Sequence, residues 1–228
     1  MAKEFKIQIP QSIVRNPEIN SKSFVLLAKL IQQYYKQRVD ERNLTFTIKY
    51  YKKLMNFTDI SDRRTFSDCL KVLNEKGLIE SIIKPLPKNG ELTVTLSSEV
   101  IPEFNKGQVF TQFEYWVLNM SVIEEVGHIG VRIMYYIMSW INYKKLGKDH
   151  CYASVIRMSK DLGIAEKTFI SYTKRLEKLK FIKIVKFDSY TTVKDDKNGN
   201  ENLSYDRWNN HYFIQQENIR KFNGLVEN

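Results

Sequence analysis

Apolar residues at helical spacing predict two consecutive helices in the second half of the chain. Val155, Met158 and Leu162 line one face of the first helix, and Gly163 follows where a left-handed residue would end it. The apolar face of the second helix consists of Phe169, Tyr172, Leu176 and Leu179. Residues 181–185 then alternate in the manner of a half-buried strand. The pattern predicts helix, tight turn, helix and strand, in that order.

The first half of the chain predicts the same elements. Tyr51 and Leu54 face inward from a first helix, and Asp62 can cap the helix that follows. The apolar face of that second helix consists of Phe66, Cys69, Leu70 and Leu73. Two strand-like segments then flank the turn dipeptide Asn89-Gly90, which predicts a β-hairpin.

The similarity between the halves extends to individual residues. Residues 63–79 align with residues 166–182 without a gap. A long helix with an apolar stripe precedes each copy. In the first half Asn20 or Ser21 can cap it, and in the second half it covers residues 128–143. Two copies of one unit support each other, because each predicts the element order of the other.

A helix-turn-helix followed by a β-hairpin is the layout of a winged helix. The predicted fold class is therefore α+β, with two tandem winged helix-turn-helix domains, mainly helical with a β-hairpin wing in each. We place the domains at residues 1–98 and 113–228, with a linker at 99–112 and a longer second wing. Apolar linker residues should pack on the domains and make their arrangement semi-rigid. They are Val100, Ile101, Phe104, Val109 and Phe110.

The charge balance indicates a polyanionic partner. The 228 residues include 36 Lys and Arg against 26 Asp and Glu, which gives a net charge of +10 and a pI near 9.4. Nucleic acid is the first candidate and an acidic membrane surface the second, while a solvated basic surface is the plain structural alternative. No apolar run reaches the roughly 18 residues of a membrane helix, and the N-terminus lacks a secretory pattern. These features predict a cytoplasmic protein without a membrane partner.

Side chains opposite the apolar faces are the candidate DNA contacts, because Arg and Lys bind guanine or phosphate and Ser and Thr bond phosphates or base edges. In the second half they are Lys167, Thr168, Ser171, Lys174 and Arg175. In the first half they are Arg63, Arg64, Thr65, Ser67 and Lys71. On the wings they are Lys84, Lys88, Lys186 and Lys194. Asp68 would repel phosphate or could accept a hydrogen bond from a cytosine amino group, and its presence makes the first helix the weaker candidate. A solvated helix face is the alternative for both.

Signatures of catalysis and metal binding are missing from the sequence. It contains no Gly-rich phosphate loop, no HExxH and no GxSxG motif, and its three histidines are scattered. Cys69 and Cys151 lack metal-ligand spacing and occupy apolar positions, which indicates small buried side chains in a reducing compartment. The acidic loop around Asp196 departs from the EF-hand template, because Gly199 follows too early. We expect no enzyme activity, no metal and no cofactor.

Two segments resemble winged-helix domains: RRTFSDCLKVLNEKGLIE at residues 63–80 and EKTFISYTKRLEKLKFIKI at 166–184. Their tandem arrangement, with the FKIQIP lead-in and a long helix before each, is similar to replication initiator and replisome-organiser proteins of Gram-positive plasmids and phages. The resemblance implies binding to repeated origin sites, with one domain available for dimerisation or for loading a partner.

The expected function is site-specific binding of double-stranded DNA, in the initiation of plasmid or phage replication. A transcriptional regulator of a mobile element is the first alternative, because the sequence does not separate DNA binding from its consequence. A protein–protein docking module built on winged helices is the second, suggested by Asp68 and the apolar linker. Homodimer formation and partner proteins of replication or transcription stay open.

Overall fold

The structure is a computed structural model, which describes residues 6–37, 43–80, 86, 90–142, 148–186, 190–195, 201–206 and 210–225. Its fold is α+β, with helices and small antiparallel two-stranded sheets. In the first half the elements are β1 (Lys6–Pro10), α1 (Gln11–Val14), α2 (Ser21–Gln37), β2 (Thr45–Ile48), α3 (Tyr51–Phe57), α4 (Arg63–Glu75), β3 (Leu92–Thr95) and a 3-10 helix (Ser98–Val100).

The second half follows a similar order. Its elements are β4 (Phe110–Glu114), a 3-10 helix (Tyr115–Leu118), α5 (Met120–Met138), α6 (Val155–Leu162), α7 (Glu166–Lys178), β5 (Ile182–Val185), β6 (Tyr190–Asp195), β7 (Glu201–Asp206), β8 (His211–Ile214) and α8 (Gln216–Phe222). Helix α5 is broken at Gly127, whose φ of 69° lies in the left-handed region. The break precedes the predicted helix 128–143, which ends in the structure at Met138.

The predicted helix ends are confirmed where sequence signals were clear. The Asn20 side chain accepts a hydrogen bond from the Ser23 amide at 2.9 Å, so Asn20 caps α2. The Asp62 carboxylate accepts from the Thr65 amide at 2.7 Å and caps α4. Gly163 ends α6 in the left-handed conformation, as the sequence predicted. Local polar chemistry thus sets these boundaries.

Each half contains a small sheet that joins the strand before the helix pair to the hairpin after it. In the first half β2 pairs with β3, and Ile79 forms a bridge to Leu96. In the second half β5 pairs with β8, and Cys151 forms a bridge to Tyr212. Strands β6 and β7 extend the second hairpin as a separate two-stranded ladder. The turn of the first hairpin lies largely outside the described residues.

The lead-in strands of the two halves pair with each other, a contact that the sequence pattern did not predict. Strands β1 and β4 form an antiparallel ladder in which Gln8 lies opposite Gln112, and the Gln112 amide donates to the Gln8 side-chain oxygen at 3.0 Å. An antiparallel pair has a local two-fold axis, which here passes between these two glutamines. Helix α2 packs against α5, and corresponding contacts join α4 to α2 and α7 to α5.

One continuous cluster of buried apolar side chains includes residues from both halves. Cys69 and Cys151 belong to it as free, buried thiols. Within the predicted linker, Val100 and Ile101 are buried, whereas Phe104 and Val109 are exposed. The expectation that all its apolar residues pack inward is therefore wrong for those two side chains.

Each half also supports the helix pair of the other. The Pro17 carbonyl of the first half lies so close to Gly163 that a Cβ there would be 2.5 Å from its oxygen. In the second half, Nε2 of His128 lies 2.6 Å from the Thr58 carbonyl, at the end of α3. The turn within each helix pair therefore contacts the opposite half, through Pro17 before α2 in one case and through His128 of α5 in the other.

We expect Gly163→Ala to destabilise the protein more than Gly77→Ala does. Both glycines have positive φ, but a Cβ on Gly77 would meet nothing within 4 Å. Left-handed strain costs either variant about 1–2 kcal/mol, and the clash with Pro17 adds about 1–3 kcal/mol at Gly163. Urea unfolding of both variants measures the difference. Equal losses would contradict the contact between Gly163 and Pro17.

Acidification from about pH 7.5 to 5 should lower stability partly through His128. Burial lowers the pKa of His128, with a smaller lowering by Lys22 and opposing contributions from the Thr58 hydrogen bond and Asp59. The folded protein then binds fewer protons than the unfolded chain between the lowered pKa and the ordinary 6.5. The stabilisation is present above pH 6.5 and is lost as the pH falls through this window.

The measurement is the free energy of unfolding against pH for the wild type and His128→Gln, whose amide can still donate to Thr58. The variant should lose less stability on acidification. Burial also lowers the pKa of His211, so His211→Gln is run in parallel to separate the two contributions. If the free energy of unfolding of His128→Gln depends on pH as steeply as that of the wild type, His128 does not contribute to the acid sensitivity.

Candidate nucleic-acid interface

Helix α7 presents a basic outer face. Lys167, Ser171, Lys174 and Arg175 are exposed, and Thr168 is partly exposed. The structure therefore collects all five predicted residues of the second half on one accessible side of a helix. Their hydroxyl, ammonium and guanidinium donors could meet phosphates or base edges.

The opposite face of α7 holds the helix in place. Phe169, Thr173 and Leu176 are buried. The Tyr172 ring lies over the break in α5, where a Cβ added to Gly127 would meet it at 3.5 Å. A buried face with a large aromatic contact fixes the direction in which the exposed side chains point.

The charges on α7 are not equally available. Arg175 lies 3.8 Å from the carboxylate of Glu125 on α5, with both side chains partly exposed. Among the described residues, no ion pair involves Lys167 or Lys174. These two ammonium groups are therefore the more available cations for an anionic ligand.

Helix α4 is more nearly neutral at its surface. The Thr65 hydroxyl donates to the Asp62 carboxylate at 2.7 Å, so it takes part in the helix cap. Hydrogen bonds from the Thr65 amide and hydroxyl lower the pKa of Asp62 and keep it ionised. Lys71 lies 3.7 Å from Asp68 in an exposed pair. Arg63 and Arg64 are exposed and Ser67 is partly exposed, so the arginines are the main cationic candidates on this helix.

The wing candidates are only partly described. Lys186 is exposed directly after β5. Lys194 lies within β6, and its side chain is outside the described part of the structure. Lys84 and Lys88 also lie outside the described residues.

Two further residues of α7 belong to its outer face although the sequence reading did not select them. Ile170 is 41% exposed and Lys178 is exposed. With Lys167, Ser171 and Lys174 they follow the i, i+3, i+4 spacing of one helix face. That spacing was the available signal for Lys178, whereas Ile170 was assigned neither to the apolar face nor to the candidate contacts. An exposed apolar side chain at this position could contact a thymine methyl group.

Two of the three histidines, which lie far apart in the sequence, meet in the structure, whereas His128 stays apart from them at the Thr58 carbonyl. The rings of His150 and His211 stack with centroids 4.0 Å apart, and Nδ1 of His150 lies 2.9 Å from the Asp149 carboxylate. Burial and the neighbouring His150 lower the pKa of His211. Within the described ranges, no group of three or more His, Cys, Asp or Glu side chains is arranged to hold a metal ion.

Comparison with protein-family models, with curated proteins and with solved structures gives no match to this chain. In the part of the chain that the structure describes, no helix has the length and apolar character needed to cross a membrane.

Proposed function

We propose that the chain is a tandem winged-helix protein that binds double-stranded DNA at specific sites. The helix pairs α3–α4 and α6–α7, each followed by hairpin strands that pair with the strand before the helices, support this proposal. In such a unit the second helix enters the major groove. The domain division at residues 1–98, 99–112 and 113–228 belongs to the same proposal.

A single observation carries the assignment of DNA as the ligand. Helix α7 directs Lys167 and Lys174 outward from its buried face, both exposed and without an ion pair among the described residues, in a protein with a net charge of +10. An exposed ammonium that no carboxylate neutralises is available to a phosphate, whose binding releases counterions. Helix α4 contributes less to the proposed DNA contact, because the Thr65 hydroxyl is bonded to Asp62 and Lys71 is paired with Asp68.

The relation between the halves favours a site with two inverted half-sites. The antiparallel β1–β4 ladder, the packing of α2 on α5, and the matching contacts of α4 with α2 and α7 with α5 are those expected if an approximate two-fold axis relates the helix pairs. Two-fold symmetry in a reader is mirrored by palindromy in its DNA site. One chain would therefore bind such a site without a second copy, although a homodimer would extend it.

The proposed role is initiation of plasmid or phage replication in the cytoplasm, together with replication partner proteins. This role rests on the sequence resemblance to initiators and replisome organisers. Regulation of transcription would use the same DNA-binding surface, so the position of the site decides between the two roles. Sites repeated within an origin support an initiator, and a site over a promoter supports a regulator.

The test is selection of bound sequences from random duplex DNA, with the full chain at near-physiological salt. An enriched motif with two inverted halves is the expected result. A motif with one half would limit reading to a single helix, and a direct repeat would contradict the two-fold arrangement. Absence of enrichment, with only weak salt-sensitive binding, would overturn site-specific reading.

A docking module for another protein is the second candidate, and one surface favours it. Tyr50 and Phe57 are exposed on either side of a groove at α3, and Lys53 lies over the Tyr50 ring at 5.3 Å. Exposed large apolar side chains next to cations suit an acidic protein segment. Loss of partner binding in Tyr50→Ser and Phe57→Ser, with duplex binding unchanged, would support this second role.

A further inference from the structure

A cleft of about 630 Å³ lies beside the β1–β4 ladder, where the two halves meet. We call it the junction cleft. Its walls come from β1, α1, β4, the residues after α5, and the strand-like segment at Tyr152. This volume is within the range of small-molecule sites, which is about 300–1,000 Å³. The cleft shares no residue with the exposed face of α7.

Cations line the junction cleft, and none of the described residues that line it carries a carboxylate. Its basic side chains are Lys6, Arg15 and Lys148. Lys6 is partly neutralised by Glu114, whose carboxylate lies 3.2 Å from its ammonium and which does not line the cleft. Among the described residues, no ion pair involves Arg15 or Lys148. An anion entering the cleft would therefore meet two cations that lack a carboxylate partner.

Arg15 is held rigidly. Its Nε donates to the Ser139 hydroxyl at 3.0 Å, and one terminal nitrogen donates to the Ser139 carbonyl at 2.9 Å. The guanidinium also lies 4.4 Å from the centre of the Trp140 ring. Bonds to one edge of the guanidinium leave donors on its other edge for a ligand. Because the side chain is already ordered, binding there would cost little conformational entropy.

An accessible aromatic ring stands next to these cations. Tyr152 is 40% exposed and meets Trp140 in an edge arrangement at 5.4 Å. The Lys148 ammonium lies 5.3 Å from the Tyr152 ring centre. Trp140 itself is flanked by Arg15 and by Arg157, at 5.0 Å, so Tyr152 offers the more accessible stacking surface.

We propose that the junction cleft binds a nucleotide unit. Arg15 and Lys148 take the phosphate, and the base stacks on Tyr152. Cationic groups beside aromatic rings are the means by which proteins hold unpaired nucleotides, whereas a duplex keeps its bases stacked on each other. Single-stranded DNA and a free nucleotide share this chemistry, and the experiment distinguishes them.

The probe is a fluorescein-labelled oligo-dT of about twelve nucleotides. Its binding to the full chain is measured by fluorescence anisotropy. We expect Tyr152→Leu to weaken its binding by about 5- to 150-fold, while Tyr152→Phe keeps the ring and the affinity. Lys148→Gln should weaken binding and reduce its salt dependence. Melting temperatures verify that each variant is folded.

The Lys167→Gln/Lys174→Gln double variant separates this site from the proposed duplex interface. It should retain oligo-dT binding, and Tyr152→Leu should retain duplex binding. Competition by unlabelled ATP at micromolar concentration would identify a free nucleotide as the ligand, and its failure would identify a single strand. If neither oligo-dT nor ATP binds the protein, the proposal is overturned. The proposal would also be overturned if Tyr152→Leu and Lys148→Gln left oligo-dT binding unchanged. The same holds if Tyr152→Leu weakened duplex binding as much as oligo-dT binding.

Discussion

Replacing Arg132 with Met should lower the free energy of unfolding by roughly 3–5 kcal/mol. Arg132 is only 1% exposed, and its guanidinium donates to backbone carbonyls rather than to a carboxylate. The accepting residues are Val14, Asn16, Ile19 and Leu162. Methionine would fill much of the volume but remove the Arg132 donors from these buried oxygens, which is costly away from water.

The position of these carbonyls makes Arg132 a link between the halves. Three belong to the segment from α1 to the start of α2, and the Leu162 carbonyl lies at the end of α6. Burial lowers the pKa of Arg132 to about 10, so the group stays charged at neutral pH. The cation also faces the carbonyl end of α6, where a positive charge is favourable.

Urea unfolding of the full chain measures this effect, with two comparison variants. Arg132→Lys keeps the charge but has a single ammonium in place of the two terminal guanidinium nitrogens, so it should be intermediate. Arg64→Met removes an exposed arginine and should change stability by less than about 0.5 kcal/mol. Equal stability of Arg132→Met and the wild type would contradict the role of this buried cation.

The second large effect concerns DNA. The Lys167→Gln/Lys174→Gln double variant should weaken binding to the selected duplex by at least tenfold, while its melting temperature stays within a few degrees of the wild type. Each lost phosphate contact should also reduce the slope of log K against log salt by about one. Both lysines are exposed, so the fold does not depend on them.

The matched control removes the same charge elsewhere. Lys106 and Lys221 are exposed and lie outside the predicted contact surfaces. If Lys106→Gln/Lys221→Gln weakens binding as much as the α7 variant does, the effect reflects net charge alone. Unchanged affinity in Lys167→Gln/Lys174→Gln would mean that α7 does not contact the DNA.

Local structure followed from the sequence because its causes lie a few residues apart. The apolar stripe with Phe169 and Leu176 defined the buried side of α7, and the polar residues between them therefore had to face outward. Caps such as Asp62 and the left-handed Gly163 depend on neighbours within one helical turn. The basic candidates on α4 and α7 were accessible to sequence reasoning for that reason.

The tertiary structure decided how distant segments meet. Gln8 and Gln112 pair across 104 residues, and no local pattern indicates which strand a lead-in segment will join. Arg132 appeared in the sequence only as an interruption of an apolar run. Arg132 can be buried because the fold brings the Asn16 and Leu162 carbonyls to its guanidinium, which donates hydrogen bonds to both. Periodicity reports which face of an element is buried, whereas partners far apart in the chain are selected by the packing of the whole core.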